Sequence, residues 1–353
     1  MPGRAYRRIV RDLLGLDHPI VLGPFGGLSS VALTAAVSEA GGLGSYGLYG
    51  YSAERIRDTI AALRAETARP FAVNLWLPTG DEVTPPEVDL APATKALGQL
   101  FDELGLPAPT PPAVFLPPIE EQLGAVLDAA PAVLSVVFGV PSEGLVAAAR
   151  ERGIRIVATA TSVAEAVALD DAGVDAIVAS GAEAAGHRVS FLARAEDSLV
   201  GTIALVPQVV DAVGVPVIAA GGIADRRGVA AAFALGAAGV QVGTAFLRTR
   251  QSAAPASHRQ AIAEALDTAT VLTRAMSGRL ARGIPNHAMR EIETRGVIAP
   301  FPAQNWLTGR FRAEAAERDL GEFLSLWAGQ AAGLTRSDDA ADVFAELAAG
   351  VPG

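Results

Sequence analysis

Eight short apolar runs, separated by alanine-rich helical stretches, set the strongest limit on what this chain can become. They cover residues 19–27, 42–47, 71–78, 133–139, 155–160, 175–180, 215–222 and 238–247. Most are apolar throughout rather than alternating, which marks strands buried on both faces, as parallel sheets require. A strand–helix unit repeated eight times predicts an α/β protein with a (β/α)8 TIM barrel. A doubly wound open sheet fits the same local pattern, and only the count of repeats favours closure.

The rhythm breaks twice. Residues 79–118 are rich in Pro, Asp and Glu, an excursion with one helix expected at 93–104. After residue 247 the chain turns helical and polar. Residues 1–250 and 305–353 are therefore assigned to the barrel, and 251–304 to a small helical insertion after strand eight. With the excursion, that insertion is placed to cover the catalytic face. A last amphipathic stretch, 309–334, is expected to pack on the barrel, with a homodimer through a C-terminal helix as its other possible use.

Composition removes several classes of function. Half of the 353 residues are hydrophobic and 19% are charged, so a large core is available and disorder is not expected. A net charge of -10 argues against nucleic acid, whose phosphates need clustered Lys and Arg. There is no cysteine, hence no disulfide, thiolate metal site or cysteine nucleophile. The four histidines show no ligand-like spacing, so no metal is expected. No apolar run approaches the ~18 residues of a membrane span, and the basic start lacks a signal-like apolar stretch, which points to the cytoplasm. The only lysine, Lys95, lies in the excursion, so a Schiff-base lysine on a barrel strand is missing.

Active sites of such barrels lie at the C-terminal ends of the strands. Strand seven closes with Gly221 and Gly222, and Asp225 then opens a helix; strand eight closes with Gly243 and Thr244. Glycines allow close backbone approach and a helix N-terminus attracts anions, so the pair suits a phosphate, although tight strand-to-helix turns alone would look similar. Strand six ends at Ser180, and a small-residue loop (Gly181, Ala185, Gly186) then delivers Glu183, His187 and Arg188. His187 has the near-neutral ordinary pKa that suits proton transfer, against the commoner structural role of a lone histidine. Asn74 near the end of strand three offers an amide that both donates and accepts. A phosphate-anchored organic cofactor acting on a small molecule is the chemistry left standing.

The stretches PIVLGPFGG, FAVNLWLP, SGAEAAGHR, GGI with QVGT, SGRLARGIPN, PFPAQNWLT and WAGQ, in this order, resemble the nitronate monooxygenase family, formerly 2-nitropropane dioxygenases. The resemblance implies an FMN-dependent barrel oxidoreductase that oxidises alkyl nitronates with O2 to a carbonyl compound and nitrite. It matches Asn74, Gly222, Gln241, Val242, Gly243 and Thr244 to FMN contacts, and Gly23, Pro24, Phe25, Ser180, Gly181, Ala185, Gly186 and Gly221 are the further candidate FMN-binding residues. His187 becomes the catalytic residue, and His187 with Arg188 the partners of the nitronate oxygens. Two departures stand out: Ser180 where the family commonly has glutamine, and Ala185 where it commonly has glycine. Phe25, Tyr46, Trp76 and Trp306 are candidate pocket walls. An NAD(P)H-using flavin reductase of enoyl-ACP or quinone type shares the scaffold, and a flavin- or metabolite-binding barrel without turnover is the non-enzymatic alternative.

Overall fold

In the computed structural model, which describes residues 10–352, the predicted strands form and close. They are β1 (Ile20–Leu22), β2 (Gly44–Gly47), β3 (Phe71–Trp76), β4 (Val133–Val137), β5 (Arg155–Ala160) and β6 (Ala176–Ser180). After β7 (Gly186–His187), which belongs to a second sheet, come β8 (Val217–Ala220) and β9 (Gly239–Val242). All eight barrel strands pair in parallel, in the order β1-β9-β8-β6-β5-β4-β3-β2. A bridge between Val21 and Leu43 joins the two ends, with Leu22 N–H on the Leu43 carbonyl at 2.9 Å. The open-sheet alternative is thereby excluded. Serines start four of the intervening helices: Ser30, Ser52, Ser142 and Ser162 each accept from the backbone N–H three residues on. Each such cap contributes about 1 kcal/mol.

Side chains alternate across a strand, so each barrel strand feeds two cores. Ile20, Leu22, Val73, Leu75, Val136, Ile156 and Ile177 face outward to helix residues such as Leu33, Ile60 and Leu63. Val21, Ala72, Val133, Val157, Ala176, Val178 and Ile218 fill the interior, together with Val10 and Leu14. Their continuous burial explains why the runs read as apolar throughout.

The insertion contains the expected helices, Ala256–Ala263 and His287–Arg295, and also two short strands, β10 (Val271–Thr273) and β11 (Ala281–Gly283). β11 pairs antiparallel with β7, placing Ala281 opposite His187. Helix Ala91–Glu103, from the excursion, starts and ends within two residues of its expected bounds. Its Leu97, Leu100 and Phe101 pack with Met276, Met289, Ile292, Leu307 and Phe311 into a second core. Helix Ala303–Glu317 belongs to that core, so the cap continues beyond residue 304 into the stretch first assigned to the barrel. Helix Ala340–Ala348 returns to the barrel through Val343, Phe344 and Leu347, beside helices Val31–Glu39 and Arg226–Ala234. It occupies the ring position that a helix directly after β9 would take. No helix among the described residues is long and apolar enough to cross a membrane.

Candidate active site

The upper interior of the barrel is polar where the lower interior is not. Register and alternation turn Asn74, Ser135, Thr159, Ser180 and Gln241 inward near the C-terminal ends of β3, β4, β5, β6 and β9. Asn74 is buried and donates through Nδ2 to the Ser135 carbonyl (3.2 Å) and Oγ (3.1 Å). Among the described residues, the Thr159 and Ser180 hydroxyls and the Gln241 amide have no hydrogen-bond partner. Such groups are costly to leave unpaired, so they call for a polar ligand or water at the mouth.

Beside this layer runs a ledge of bare backbone. Gly221 and Gly222 have φ of +101° and +72°, conformations that other residues rarely adopt. The N–H groups of Gly222, Ile223 and Gly243 donate to nothing among the described residues. A Cβ added at Gly243 would find only the Phe25 ring, at 3.5 Å, so the ledge is open. Gly23 N–H bonds the Val242 carbonyl at 2.8 Å and draws the ends of β1 and β9 together, with Pro24 half-buried after it. Thr244 follows Gly243 and accepts from Gly329 N–H at 3.0 Å, which docks the WAGQ stretch on the ledge. Free N–H groups beside a hydroxyl- and amide-lined mouth fit a phosphate-bearing cofactor with a polar ring edge.

The loop from Gly181 to Arg188 is held from below. The Glu183 carboxylate accepts from Thr202 N–H (2.9 and 3.0 Å) and Oγ1 (2.9 Å) at the N-terminus of helix Thr202–Ala212, where the helix dipole favours it. A Cβ at Gly181 would sit 2.0 Å from Thr202 Oγ1, so only glycine fits. Ala185 and Gly186 then lead to His187, with Gly186 at a φ of +70°. Neighbours on a strand point to opposite faces. Arg188 accordingly turns away and donates to the carbonyls of Ser180 (2.5 Å), Ser198 (2.9 Å) and Thr161 (3.1 Å). Its guanidinium is buried, its pKa is pushed down to about 10 by desolvation, and it braces three loops rather than facing the cavity.

His187 stands in an aromatic box of Trp76, Trp327 and Phe138, at ring-centre distances of 4.8, 5.5 and 6.4 Å. Its Nε2 lies 2.7 Å from Ser277 Oγ. Desolvation first, then the charges of Arg279 and Arg312, push its pKa down to about 3. The imidazole is therefore neutral across the physiological range, in contrast to the ordinary histidine the sequence suggests.

A cavity of about 180 Å³ opens on the other side of Trp76, walled by Tyr49, Leu77, Leu116, Arg279 and Phe301 as well. Arg279 lies over the rings of Phe301 (4.0 Å) and Phe138 (4.6 Å). Its Nη2 binds Thr79 Oγ1 and Glu82 Oε1, each at 2.6 Å, and Asp81. One arginine thus ties the start of the excursion to the insertion. Of the candidate wall residues, Trp76 lines the cavity and Phe25 lies on the glycine ledge. Tyr46 points outward and meets Tyr51, and Trp306 packs on Phe115 within the cap. Ser277 and Arg279 come from SGRLARGIPN, Phe301 and Asn305 from PFPAQNWLT, and Trp327 from WAGQ. Those late motifs carried a resemblance but no role, and the fold brings Ser277, Arg279 and Trp327 to His187, Phe301 to Trp76 and Asn305 to Tyr49.

Comparison with known proteins agrees with this geometry. The sequence profile described as nitronate monooxygenase matches residues 7–350. A probable nitronate monooxygenase of Staphylococcus aureus is 38% identical over 348 residues, covering 95% of each chain. Among solved structures, nitroalkane oxidase from Streptomyces ansochromogenes superposes with a TM-score of 0.84 at 35% identity, over 97% of both chains. FabK from Thermotoga maritima gives 0.75 at 31% identity, over 96% of this chain and 94% of that one.

Proposed function

This chain belongs to the nitronate monooxygenase family, and from that premise we propose that it oxidises alkyl nitronates with molecular oxygen, yielding a carbonyl compound and nitrite, with FMN as cofactor. When bound, FMN supplies the electron-accepting chemistry that no side chain of this protein offers. The N–H groups of Gly222, Ile223 and Gly243 take its phosphate; Asn74, Ser180 and Gln241 serve its polar ring edge. His187 orients the substrate at the boundary between mouth and cap.

The observation that carries the choice of substrate is the setting of His187: half-buried, aromatic-walled and close to two arginines, with no carboxylate on the imidazole among the described residues. A histidine so placed is a poor base for pulling a proton from carbon. A nitronate needs no such base because it arrives ionised, and the charge of Arg312, which no carboxylate pairs among the described residues, attracts it. Arg188 drops out as a substrate partner because its donors are spent on carbonyls, and Arg279 is the arginine that borders the cavity.

The test is anaerobic stopped-flow absorbance of the FMN-loaded protein, mixed separately with propyl nitronate and with NADH or NADPH. Loss of flavin absorbance with nitronate alone supports the proposal. Bleaching by a nicotinamide with no response to nitronate moves the chain to the reductase reading. A protein that takes up no FMN overturns the cofactor assignment.

A further inference from the structure

We propose that Tyr49 donates its phenolic proton to the anionic oxygen of the substrate, and that Asn305 and Arg312 act as positioning residues that aim this proton. The inference rests on the nitronate reading for its substrate class, an oxygen-centred anion on a small alkyl body. The geometry itself is independent of that reading.

The chain of reasoning begins at Arg312, on helix Ala303–Glu317. Its Nη2 donates to Asn305 Oδ1 (2.8 Å) and to the Asn305 carbonyl (3.0 Å), and its Nη1 to Ser325 Oγ (3.1 Å). Its Nε is buried without a partner, and among the described residues no carboxylate pairs with it. A guanidinium has donors only. The oxygen of the Asn305 amide must therefore face Arg312, which leaves Nδ2 for the other side. There Nδ2 donates to Tyr49 Oη at 3.2 Å. With that lone pair used, the phenolic proton must point elsewhere, and among the described residues it meets no acceptor.

Tyr49 forms part of the cavity wall, and on this proposal its proton turns into that space; its ring stacks on Trp76 at 4.2 Å, which in turn contacts His187. Burial pushes the phenol well above its usual pKa despite the nearby arginines, so the proton stays in place as a donor. Of the other polar wall groups, Glu82 is engaged with Thr79 and Arg279 and Gln122 with the Tyr51 carbonyl, while the Trp76 indole N–H has no partner among the described residues. Leu77, Leu116 and Phe301 suit an alkyl body. The wall thus offers the Tyr49 hydroxyl beside an apolar surface, with the charge of Arg312, which no carboxylate pairs among the described residues, behind it; the charge of Arg279 is shared with Glu82 and Asp81. That combination favours an anion over its neutral counterpart.

Butyrate stands in for a nitronate because both end in a planar, singly charged pair of oxygens, and butyramide is its neutral counterpart. Both are titrated calorimetrically into the FMN-loaded protein. Butyrate should bind wild type more tightly than butyramide does. Tyr49→Phe should weaken butyrate by about ten- to a hundredfold, the range for a hydrogen bond to a charged group, and leave butyramide nearly unchanged. Asn305→Asp keeps the acceptor for Arg312 but gives Tyr49 a carboxylate to bond, so it should lose butyrate although the hydroxyl remains. In the double variant the two losses should not add. Butyrate binding unchanged in Tyr49→Phe overturns the inference, as does equal weakening of both ligands or no binding to wild type. Additive losses overturn the aiming role of Asn305. A wild type that binds butyrate through Tyr49 but whose flavin ignores nitronate sinks the proposed function and not this inference.

Discussion

At the barrel mouth, polar side chains arrive in register from five strands, each fixed by its own strand. The cavity wall instead carries Tyr49 after β2 and Arg279 before β11, with Asn305 and Arg312, on one cap helix, joined to Tyr49. Among the described residues, the side chains of mouth residues such as Thr159, Ser180 and Gln241 have no hydrogen-bond partner, while wall residues bond mainly to one another. The first region is a scaffold-borne bed whose members can be changed singly. The second is a network in which one change spreads. His187 lies at the seam, since β7 leaves the barrel loop and pairs with β11 of the insertion.

His187→Ala is the largest predicted break in this comparison. Misplacing a substrate at the reacting atoms costs on the order of 10²-fold in rate. Nitronate-dependent flavin reduction should fall by that order while FMN content per protein stays at the wild-type level. Loss of FMN in step with activity would mean that mouth and wall are one unit.

Arg279→Met tests the network next. The side chain is 9% exposed and joins Thr79, Asp81 and Glu82, but Asp81 is 70% exposed and solvent screens its share. After that discount a cost of about 2 kcal/mol remains, less than a fully buried pair would lose. Urea unfolding should show it, with faster proteolysis at residues 79–82. A purely local effect, with stability unchanged, would deny that the cap holds itself together.

The same contrast decides what could be read from the chain. Asn74, Gln241 and the glycine pairs stand at the ends of strands, where barrel chemistry collects, and alternation alone puts the first two inside. Ser135 and Thr159 obey that rule too, but they sit within runs read as apolar throughout. Alternation could also have separated Arg188 from His187, since adjacent strand residues face opposite ways. The wall had no comparable signal. Arg279 means little until it reaches Thr79 across 200 positions, and Asn305 matters only because Arg312 lies two turns on. β10 and β11 span three residues each, too few for periodicity to reveal.

A smaller effect separates the regions by pH. Two histidines, the half-buried His187 at the seam and the buried His258 in the insertion, are depressed, chiefly by desolvation: His187 to about 3 and His258, on the Trp327 carbonyl, to about 4. In the unfolded chain both return to about 6.5. Between pH 6.5 and 5 the unfolded state therefore binds more protons than the folded one, so stability falls as pH falls. The slope is about 1.4 kcal/mol per pH unit for each histidine once the unfolded imidazole is protonated. The lowered carboxyls of Asp81 and Glu82 enter only below this window, because their ordinary values lie at 3.8 and 4.5. The polar side chains of the mouth do not titrate here. Urea unfolding at pH 7 and pH 5 should show the loss, and His187→Gln or His258→Gln should each remove about half of it. Affinity for riboflavin, which lacks the phosphate that itself titrates near pH 6, should hold steady over the same range. An unchanged slope in both variants would place the acid sensitivity outside the cap, and riboflavin affinity falling with pH would mean that the mouth shares the titration of its wall.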